Sequence, residues 1–503
     1  MGVQMKENIP LKRNDLEKMF NDRIAPYGYK KDEIKEDFVK DESVVEVEDA
    51  TAEDDQETYR TSLRRQRDKI LYTGGFRRLQ DKTQVISATV SGDHRTRLTH
   101  TLEVEQIAIS IANALQLNVD LVSAIALGHD VGHTPFGHAA ERKLNDLLKD
   151  NGGFHHPIQS IRYLWEKYGS KIESVIYEGI LLHDSDIFKL EKKDVEAQFY
   201  YLENVKGESK DFKKWVEIDH WLNHTFPSTL EAQVVIWADK IAYITHDLED
   251  FLRCSIYTNL KENNSTIEDE LLNHLNGLLN SKIEVMDDYH SRDLIRNIIG
   301  NLIISSANNI TNISGLSQSI VRDKTGERYN NKGTSNKKYL DGLIINFNEA
   351  YRECYYKLRK FLDEYYILSP EVQRSDAKAE VIVEWLFTKF SKKHELLPLK
   401  IRNEIDYTIL EESYNDDCLG KIVNELYDGV EKGQRRISQL KKKLEELNPN
   451  KDKGIKTNED LAYDDIKNKV VKRKVAGYIA TMSDTYAENM YRDLIGSSVD
   501  FNL

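Results

Sequence analysis

Three histidines, one aspartate and one glutamate lie within thirteen residues of the segment LGHDVGHTPFGHAAE. They are His129, Asp130, His133, His138 and Glu141. Imidazole changes its charge near neutral pH, and imidazole and carboxylate groups together bind divalent cations such as manganese, iron, magnesium or zinc. A single histidine on an apolar face is more often a hydrogen-bonded core residue than a ligand. Five such groups in one short segment favour a catalytic or metal-binding site.

A helix is predicted to end within this segment, and that end determines which side chains can bind the same ion. Neighbouring residues on a helix point about 100° apart, so His129 and Asp130 reach one metal only at the end of a helix. Gly132 and Pro135 supply that end,. His100, in the first turn of the preceding helix, is a further candidate ligand.

A fourth ligand is expected from a distant helix, EAQVVIWADKIAYITHDLEDF. Asp239, Tyr243 and Asp247 recur there at steps of four and therefore share one helix face. Apolar residues surround these polar groups, which predicts burial, and a buried carboxylate needs a partner or a metal. Asp239 is the candidate ligand.

The elements that position these residues are predicted to be helices. Apolar residues recur at steps of four or five from 98 to 115, and a second series begins at Leu121, so two antiparallel helices precede the break at Pro135,. A third helix is expected over 136–148. Further amphipathic stretches lie at 157–168, 229–253, 266–280, 292–312, 338–366, 376–391, 415–446 and 460–495. Strand signals are confined to 84–90 and 197–206, so the expected class is all-α with at most a short β-hairpin.

Composition excludes several other classes of protein. The 503 residues are 31% charged and contain only 8 Pro and 25 Gly, which is typical of an ordered helical protein rather than a disordered or many-turned β protein,. Three widely spaced cysteines predict neither a disulfide framework nor a thiolate zinc site,. The same cysteine usage predicts a reducing, cytoplasmic compartment. The lack of an apolar signal region and of a long apolar stretch predicts neither secretion nor a membrane span. No P-loop motif is present, which argues against a P-loop nucleotidase.

The formal net charge of −14 is unevenly distributed. Residues 31–55 hold 12 acidic and 3 basic side chains, whereas residues 59–82 hold 8 basic and 2 acidic ones. The basic segment leads directly to Gln84 and Arg97. Because the Debye length at physiological salt is ~8 Å, the distant acidic segment is largely screened and does not argue against a polyanionic substrate.

The order of these motifs resembles the HD-domain phosphohydrolases and, among them, the bacterial deoxynucleotide triphosphohydrolase (dGTPase) family. The resemblance rests on RRLQDKTQV at 77–85, RLTH at 97–100, HDVGHTPFGHAAE at 129–141, FHHPIQS at 154–160 and ADKIAYITHD at 238–247. A C-terminal segment, GYIATMSDTYA at 477–487, is similar to the family's DYIAGMTDRYA. Gly477 and Thr481 replace the family's Asp and Gly, and Pro157 and Ile158 replace its usual Asn-Ala. These departures affect the C-terminal substrate wall and leave the candidate ligands unchanged.

The resemblance implies an all-α HD-domain core with helical insertions, a bound divalent metal and an acid–base pair. Mn²⁺ or Mg²⁺ is the expected ion, and iron, cobalt and zinc suit the same ligands. The implied metal ligands are His100, His129, Asp130 and Asp239. His138 and Glu141 would form the acid–base pair, and His133 would contact phosphate or donate a proton.

The resemblance also implies a dNTP substrate, with dGTP first, cleaved to a deoxynucleoside and inorganic triphosphate. Arg97 and Lys240 would hold the triphosphate, and His156 would line the same pocket. The residues implied for the sugar are Gln84, Tyr243 and Asp247. The ring of Tyr243 would exclude a 2′-hydroxyl group. A homo-oligomer is expected, and the sequence leaves open which base is preferred and whether a regulatory nucleotide or single-stranded DNA binds.

Three regions are expected along the chain: an acidic N-terminal segment (1–58), an HD-domain catalytic core (59–260) and a helical C-terminal region (261–503) that completes the substrate pocket and makes oligomer contacts. Two other functions are compatible with the same residues. One is an HD-domain phosphohydrolase acting on a cyclic or guanosine polyphosphate, and the other is a non-catalytic nucleotide-binding sensor. Inorganic triphosphate among the products would exclude the first, and metal-dependent turnover would exclude the second.

Overall fold

The computed structural model of the protein describes residues 18, 20–30, 60–84, 95–184, 190–199, 227–312, 342–415, 419, 440, 442–446 and 457–495. The first helices are α1 (Ser62–Leu71), α2 (Gly74–Arg78), α3 (Arg97–Ala114), α4 (Val119–Gly128), α5 (Gly137–Leu147), α6 (His156–Tyr168), α7 (Ser174–Leu182), α8 (Lys192–Phe199) and α9 (Leu230–Arg253). They are followed by α10 (Ser255–Asn263), α11 (Ile267–Asn276), α12 (Ser291–Thr311), α13 (Glu349–Leu362), α14 (Pro370–Lys392), α15 (Leu399–Asn415), α16 (Asn458–Ala480) and α17 (Asp484–Ile495). Within the described ranges, β pairing is limited to one isolated bridge between Thr83 and Thr96.

The all-α prediction is confirmed for the described part of the chain. The apolar series from 98 to 115 and the one from Leu121 form α3 and α4, and the helix expected after Pro135 is α5. The strand predicted at 197–206 is wrong for residues 197–199, which end α8. Val195 and Phe199 are both buried there, and their separation of four residues is the helical period,. The rest of that stretch, and residues 85–90 of the other strand prediction, lie outside the described residues.

Helix α7 carried no amphipathic signal in the sequence because it is buried almost all round. Eight of its nine residues, from Val175 to Leu182, are inaccessible to solvent or nearly so. Its glycine, Gly179, lets α4 approach closely, because a Cβ atom there would lie 2.5 Å from Cδ1 of Ile125. A helix without a polar face produces no periodicity that the sequence could reveal.

The described residues fall into two compact units. The first is drawn from residues 1–132, 160–192 and 202–375, and the second from 133–159, 193–201 and 376–503. In the first unit α3, α4 and α9 pack against one another, and the fully buried Trp237 of α9 donates its indole N–H to the carbonyl of Ile345 at 2.8 Å. The boundaries predicted at 58 and 260 stay predictions.

The second unit has its own apolar core. Helices α5, α14, α15 and α16 contribute to it, with Leu144, Val383, Phe390 and Val475 among the buried side chains. Arg473 of α16 is also buried and donates to the backbone carbonyls of Asn151 and Gly153. Among the described helices, none is long and apolar enough to cross a membrane.

Candidate active site

His100 lies in the first turn of α3, and its neighbours fix where that helix begins. Thr96 precedes the helix in an extended conformation, and its hydroxyl accepts the backbone N–H of Thr99 in a capping interaction,. The backbone N–H of Arg97 donates to the carbonyl of Lys82 at 3.0 Å. These bonds anchor the first turn, so His100 projects from a defined position.

His129 lies at the C-terminal end of α4, directly after the last residue of that helix. Gly128 allows α7 to approach this end, because a Cβ atom there would lie 2.5 Å from Cδ1 of Ile180. The buried hydroxyl of Ser160 donates to the carbonyl of His129 at 2.8 Å and accepts the N–H of Gly132 at 2.9 Å. These backbone polar groups at the end of α4 are therefore hydrogen-bonded without solvent. The imidazole of His129 is held at the point where the chain turns.

The structure brings the four predicted metal ligands together in the first unit. The Nε2 atom of His100 lies 2.9 Å from Oδ1 of Asp239, and Nε2 of His129 lies 3.9 Å from the same oxygen. His129 Nε2 is also 3.6 Å from Oδ2 of Asp130. His100, His129 and Asp130 are buried, whereas Asp239 is partly open. The four side chains therefore converge on one point, and Asp239 is the member open to solvent.

Two observations show that this set of donor groups fits a divalent cation. His129 donates Nδ1–H to the carbonyl of Ala126 at 2.6 Å, which leaves the lone pair on Nε2, a buried atom with no hydrogen-bond partner among the described residues. Burial alone would raise the pKa of Asp239, but His100, His129 and His183 together hold that pKa far below its usual range. An imidazole lone pair beside an ionised carboxylate is a donor set that manganese, magnesium, iron and zinc accept.

Arg97 provides positive charge beside these ligands. Its side chain is 2% exposed, and Nη1 donates to Oδ2 of Asp130 at 2.7 Å. The other two guanidinium nitrogens, Nε and Nη2, are buried and have no hydrogen-bond partner in the described part of the structure. Leaving buried donors unpaired is costly, and a guanidinium matches the oxygens of a phosphate group. The arrangement therefore suits an anion held next to the metal ligands.

The residues predicted to contact a sugar include Tyr243 and Asp247, which lie one and two turns after Asp239 on α9. Asp247 is fully buried, and its Oδ2 accepts from Nη1 of Arg359 at 2.9 Å. Burial raises the pKa of Asp247 to about 7, although the charge of Arg359 opposes the shift. The guanidinium of Arg359 also lies 4.2 Å from the centre of the Tyr243 ring. The phenol is therefore fixed from one side by a cation–π contact.

Gln84 and Lys240 complete the predicted substrate contacts of the first unit. Gln84 is 6% exposed, and its Oε1 is a buried acceptor without a hydrogen-bond partner among the described residues. Lys240 is partly buried on α9, where its carbonyl accepts the hydroxyl of Tyr355 at 2.9 Å. Both residues are thus placed in the unit that holds the candidate ligands.

The other predicted catalytic residues form a cluster in the second unit, around the buried carboxylate of Glu141. Nδ1 of His138 lies 3.1 Å from Glu141 Oε2, and Nδ1 of His156 lies 2.9 Å from Oε1. Nε2 of His133 is 3.8 Å from Oε2, and the rings of His133 and His156 stack with centroids 4.6 Å apart. Burial opposes ionisation of Glu141, but the three imidazoles hold its pKa well below the usual range. His138, with a side chain that is 45% exposed, is the accessible member of the cluster.

The turn before α5 holds this cluster in place. Phe136 adopts a left-handed conformation with φ of 58°, which is uncommon for a residue with a side chain,. Its backbone N–H donates to Oδ1 of Asp484 at 2.8 Å, and Thr134 donates its hydroxyl to the carbonyl of Gly137 at 2.8 Å. Asp484 belongs to the C-terminal segment that resembles the family motif, so that segment braces the turn from which His138 projects.

Comparison with known proteins identifies the family. An HD-domain model matches residues 97–244, which include all four candidate metal ligands, and a model for a phosphohydrolase-associated domain matches residues 345–411. A deoxyguanosinetriphosphate triphosphohydrolase-like protein of Rickettsia bellii is 32% identical over 74% of this chain and 89% of its own length. Proteins of the same description from Caldanaerobacter subterraneus and Syntrophus aciditrophicus are 35% and 33% identical over 67% and 70% of this chain, and 75% and 81% of their own lengths. The chain belongs to the dGTPase-like family of HD-domain phosphohydrolases.

Three residues near the candidate ligands of this HD-domain phosphohydrolase were not found from the sequence. Arg359 lies 112 positions after Asp247 and has no local motif, although it falls within the phosphohydrolase-associated match. His183 packs edge-on against His129 with ring centroids 5.0 Å apart and directs Nδ1–H to the carbonyl of Ile180. His246 lies behind His100, one residue before Asp247 on α9. The sequence signal for His246 was its position in the apolar helix of Asp239, where a histidine is unusual.

Proposed function

We propose that this HD-domain phosphohydrolase is a metal-dependent dNTP triphosphohydrolase that prefers dGTP and releases deoxyguanosine and inorganic triphosphate. The observation that supports this most strongly is the buried guanidinium of Arg97, which lies against the metal ligand Asp130 with two nitrogens unpaired. A buried cation with free donors beside a metal centre matches a phosphate chain that is bound by the metal and by protein together.

The residues of the first unit would hold the triphosphate and its metal. His100, His129, Asp130 and Asp239 would bind one divalent ion, Mn²⁺ or Mg²⁺, which when bound acts as a Lewis acid on the phosphate and lowers the pKa of a bound water. Arg97 would donate Nε–H and Nη2–H to phosphate oxygens. Lys240, the residue after Asp239, would add a second positive charge to the phosphate chain.

The cluster around Glu141 is proposed to handle the proton of the reaction. In the hydrolysis, a water oxygen forms a bond to the α-phosphorus and releases one proton to solvent, the bond from phosphorus to O5′ breaks, and O5′ takes up a proton from His138, which solvent then reprotonates. His138 would supply that proton from Nε2, while Glu141 accepts its Nδ1–H and keeps the ring oriented,. His133 and His156, which lie against the same carboxylate, would contact the phosphate oxygens or the leaving group.

The residues near Asp247 are proposed to select deoxyribose. Oδ1 of Asp247 and Oε1 of Gln84 are buried acceptors without partners among the described residues, and each can accept a hydrogen bond from a 3′-hydroxyl. The ring of Tyr243, held by Arg359, would cover the 2′ carbon. Since an apolar surface rejects an added hydroxyl by roughly a factor of 100, we expect dGTP to be preferred over GTP by about that amount.

The test is a product assay with the full chain. Each of the four dNTPs and GTP is incubated with Mn²⁺ or Mg²⁺, and nucleosides and phosphates are separated by ion exchange. We expect deoxyguanosine and triphosphate from dGTP at the highest rate, and no turnover by D239A or H129A. D269A removes an exposed aspartate as the matched control and is expected to keep the wild-type rate. Orthophosphate or pyrophosphate as the product would contradict the proposal, as would a wild-type rate no higher than that of D239A.

The preference for dGTP and the assembly state are part of this proposal. The relatives are described as deoxyguanosinetriphosphate triphosphohydrolase-like proteins, which supports dGTP as the first substrate. A homo-oligomer is proposed as well and would be detected by size-exclusion chromatography with light scattering. The cytoplasmic location stays a prediction, and the effects of a regulatory nucleotide and of single-stranded DNA can be measured in the same assay.

A further inference from the structure

A line of polar side chains runs from the proposed metal centre of the first unit toward the surface, behind His100. His246 is 4% exposed and packs against His100 with ring centroids 5.4 Å apart and an angle of 78° between the rings. The Nδ1 atoms of the two rings lie 3.4 Å apart. On its other side, Nε2 of His246 is in close contact with the carboxylate of Glu103, a residue of α3. None of these residues is a candidate metal ligand except His100.

Glu103 is itself held in an ionic network. Its carboxylate lies 3.8 Å from Nε of Arg95, and the same guanidinium donates to Glu249 at 2.6 Å. Burial opposes ionisation of Glu103, but His246 and Arg95 together lower its pKa below the ordinary value. Glu103 is therefore an acceptor without a proton of its own, fixed at the outer end of the line.

This order of groups determines which ring nitrogens carry the hydrogens between Glu103, His246 and His100. An ionised carboxylate can only accept, so Nε2 of His246 must carry the proton that faces Glu103. A neutral imidazole has one N–H, so Nδ1 of His246 is then an acceptor and Nδ1 of His100 is the donor. Nε2 of His100 is then the ring nitrogen turned toward Asp239, whose Oδ1 lies 2.9 Å away. That is the nitrogen a metal would need.

We propose that His246 and Glu103 are a positioning pair that holds Nδ1–H of the proposed metal ligand His100 and so fixes the ring with Nε2 facing the proposed metal. The inference rests on the proposed metal centre and goes beyond the ligand set, because neither residue reaches the ion. Partners behind a metal-binding histidine commonly change metal affinity 10- to 100-fold when they are removed.

His129 provides a contrast within the same site. Its Nδ1–H is directed to the backbone carbonyl of Ala126 at 2.6 Å, so its tautomer is set by the main chain. The Nδ1–H of His100 is instead held by the side chain of His246, which Glu103 holds in turn, and substitution can remove both side chains. Changes at His246 or Glu103 should therefore affect His100 and leave His129 unchanged.

The test measures metal affinity directly, by titrating Mn²⁺ into the full chain and following the free ion by electron paramagnetic resonance. H246F keeps a ring of similar size and removes both nitrogens, and E103L removes the acceptor at a half-exposed position where a change in folding is not expected. We expect each to weaken Mn²⁺ binding by 10- to 100-fold. E103Q retains an acceptor oxygen and is expected to stay within about threefold of wild type. Q106L, at an exposed position of the same helix, is the control and should bind like wild type.

A second readout separates positioning from a general loss of stability. In ¹⁵N-histidine spectra of the metal-free protein, His100 should carry a proton on Nδ1 in the wild type and in E103Q, and should lose that preference in E103L, while His129 stays Nδ1-protonated in all variants. Unchanged Mn²⁺ affinity in both H246F and E103L would overturn the inference, and so would an Nε2-protonated neutral His100 in the wild type. If the wild type binds Mn²⁺ and the variants lose it, but no dNTP is hydrolysed, the positioning role stands and the proposed function fails.

Discussion

Glu231, the second residue of α9, offers a quantitative test of the packing that holds the Asp239 helix in place. Its side chain is 1% exposed, and one carboxylate oxygen accepts the backbone N–H of Tyr29 at 2.6 Å and of Asn118 at 3.0 Å. Burial raises the pKa of Glu231 from 4.5 to about 7, although these backbone donors oppose the shift. The carboxyl thus ties the segment 20–30 and the start of α4 to α9.

The sign of the effect follows from the raised pKa. Between pH 4.5 and pH 7 the unfolded chain ionises at this position while the folded protein keeps the proton. The contribution of the Glu231 carboxyl to the free energy of unfolding is therefore at its full value below about pH 4.5. It falls as the pH rises to about 7 and does not change further above that pH. At 1.36 kcal/mol per unit, a shift from 4.5 to about 7 amounts to ~3 kcal/mol in total, of which about 2.5 kcal/mol falls between pH 5 and pH 8,.

The substitution that tests this is E231Q. It keeps an oxygen acceptor for the N–H groups of Tyr29 and Asn118 and removes the carboxyl group that titrates. The free energy of unfolding is measured by urea titration for E231Q and wild type at pH 5 and at pH 8. We expect the difference in free energy of unfolding between E231Q and wild type to shift by about 2.5 kcal/mol in favour of E231Q from pH 5 to pH 8. E262Q, at an exposed glutamate, controls for the loss of one negative charge. Parallel pH profiles for wild type and E231Q would refute the reasoning.

Three further expectations concern substrate selection, packing and proton transfer. Y243A should raise the hydrolysis of GTP relative to dGTP by about tenfold or more, whereas Y243F should keep the wild-type ratio, and equal ratios for all three proteins would show that the ring does not select the sugar. G179A should lower the free energy of unfolding by about 1–3 kcal/mol, because the new Cβ atom would meet Ile125 at 2.5 Å; unchanged urea midpoints would contradict this,. E141Q should lower kcat by about 100-fold or more with Mn²⁺ affinity retained, and loss of metal binding in this variant would assign Glu141 to the metal centre instead.

The helices that carry the site were predictable because their apolar residues recur at helical spacing. The periods in α3 and α4 and the break at Pro135 were visible as spacing alone, and the helix of Asp239 was visible for the same reason. Helix α7 was not, since apolar residues surround it on all sides and leave no period. At 197–199, the weak alternation that predicted a strand over 197–206 was misleading, because these residues end α8 and a short apolar pattern fits both periods,.

The candidate ligands were predictable because they lie in short motifs, but the residues behind them were not. His129 and Asp130 are adjacent, and Asp239 stands out as an acid in an apolar helix. The contact of Arg359 with Asp247 joins positions 112 residues apart, and only the folded chain reveals it. The contact of His246 with Glu103 is hidden for the same reason. A single sequence specifies local patterns well and gives no record of which distant side chains meet.

The most direct test of the central claim follows the oxygen of the attacking water. Hydrolysis of dGTP by the wild-type protein in ¹⁸O-labelled water, with Mn²⁺, is analysed by mass spectrometry of the separated products. If water attacks the α-phosphorus and the bond to O5′ breaks, one ¹⁸O atom appears in inorganic triphosphate and none in deoxyguanosine. Label in deoxyguanosine would contradict the account, as would dGMP or dGDP as the nucleotide product, whichever of the products carries the label.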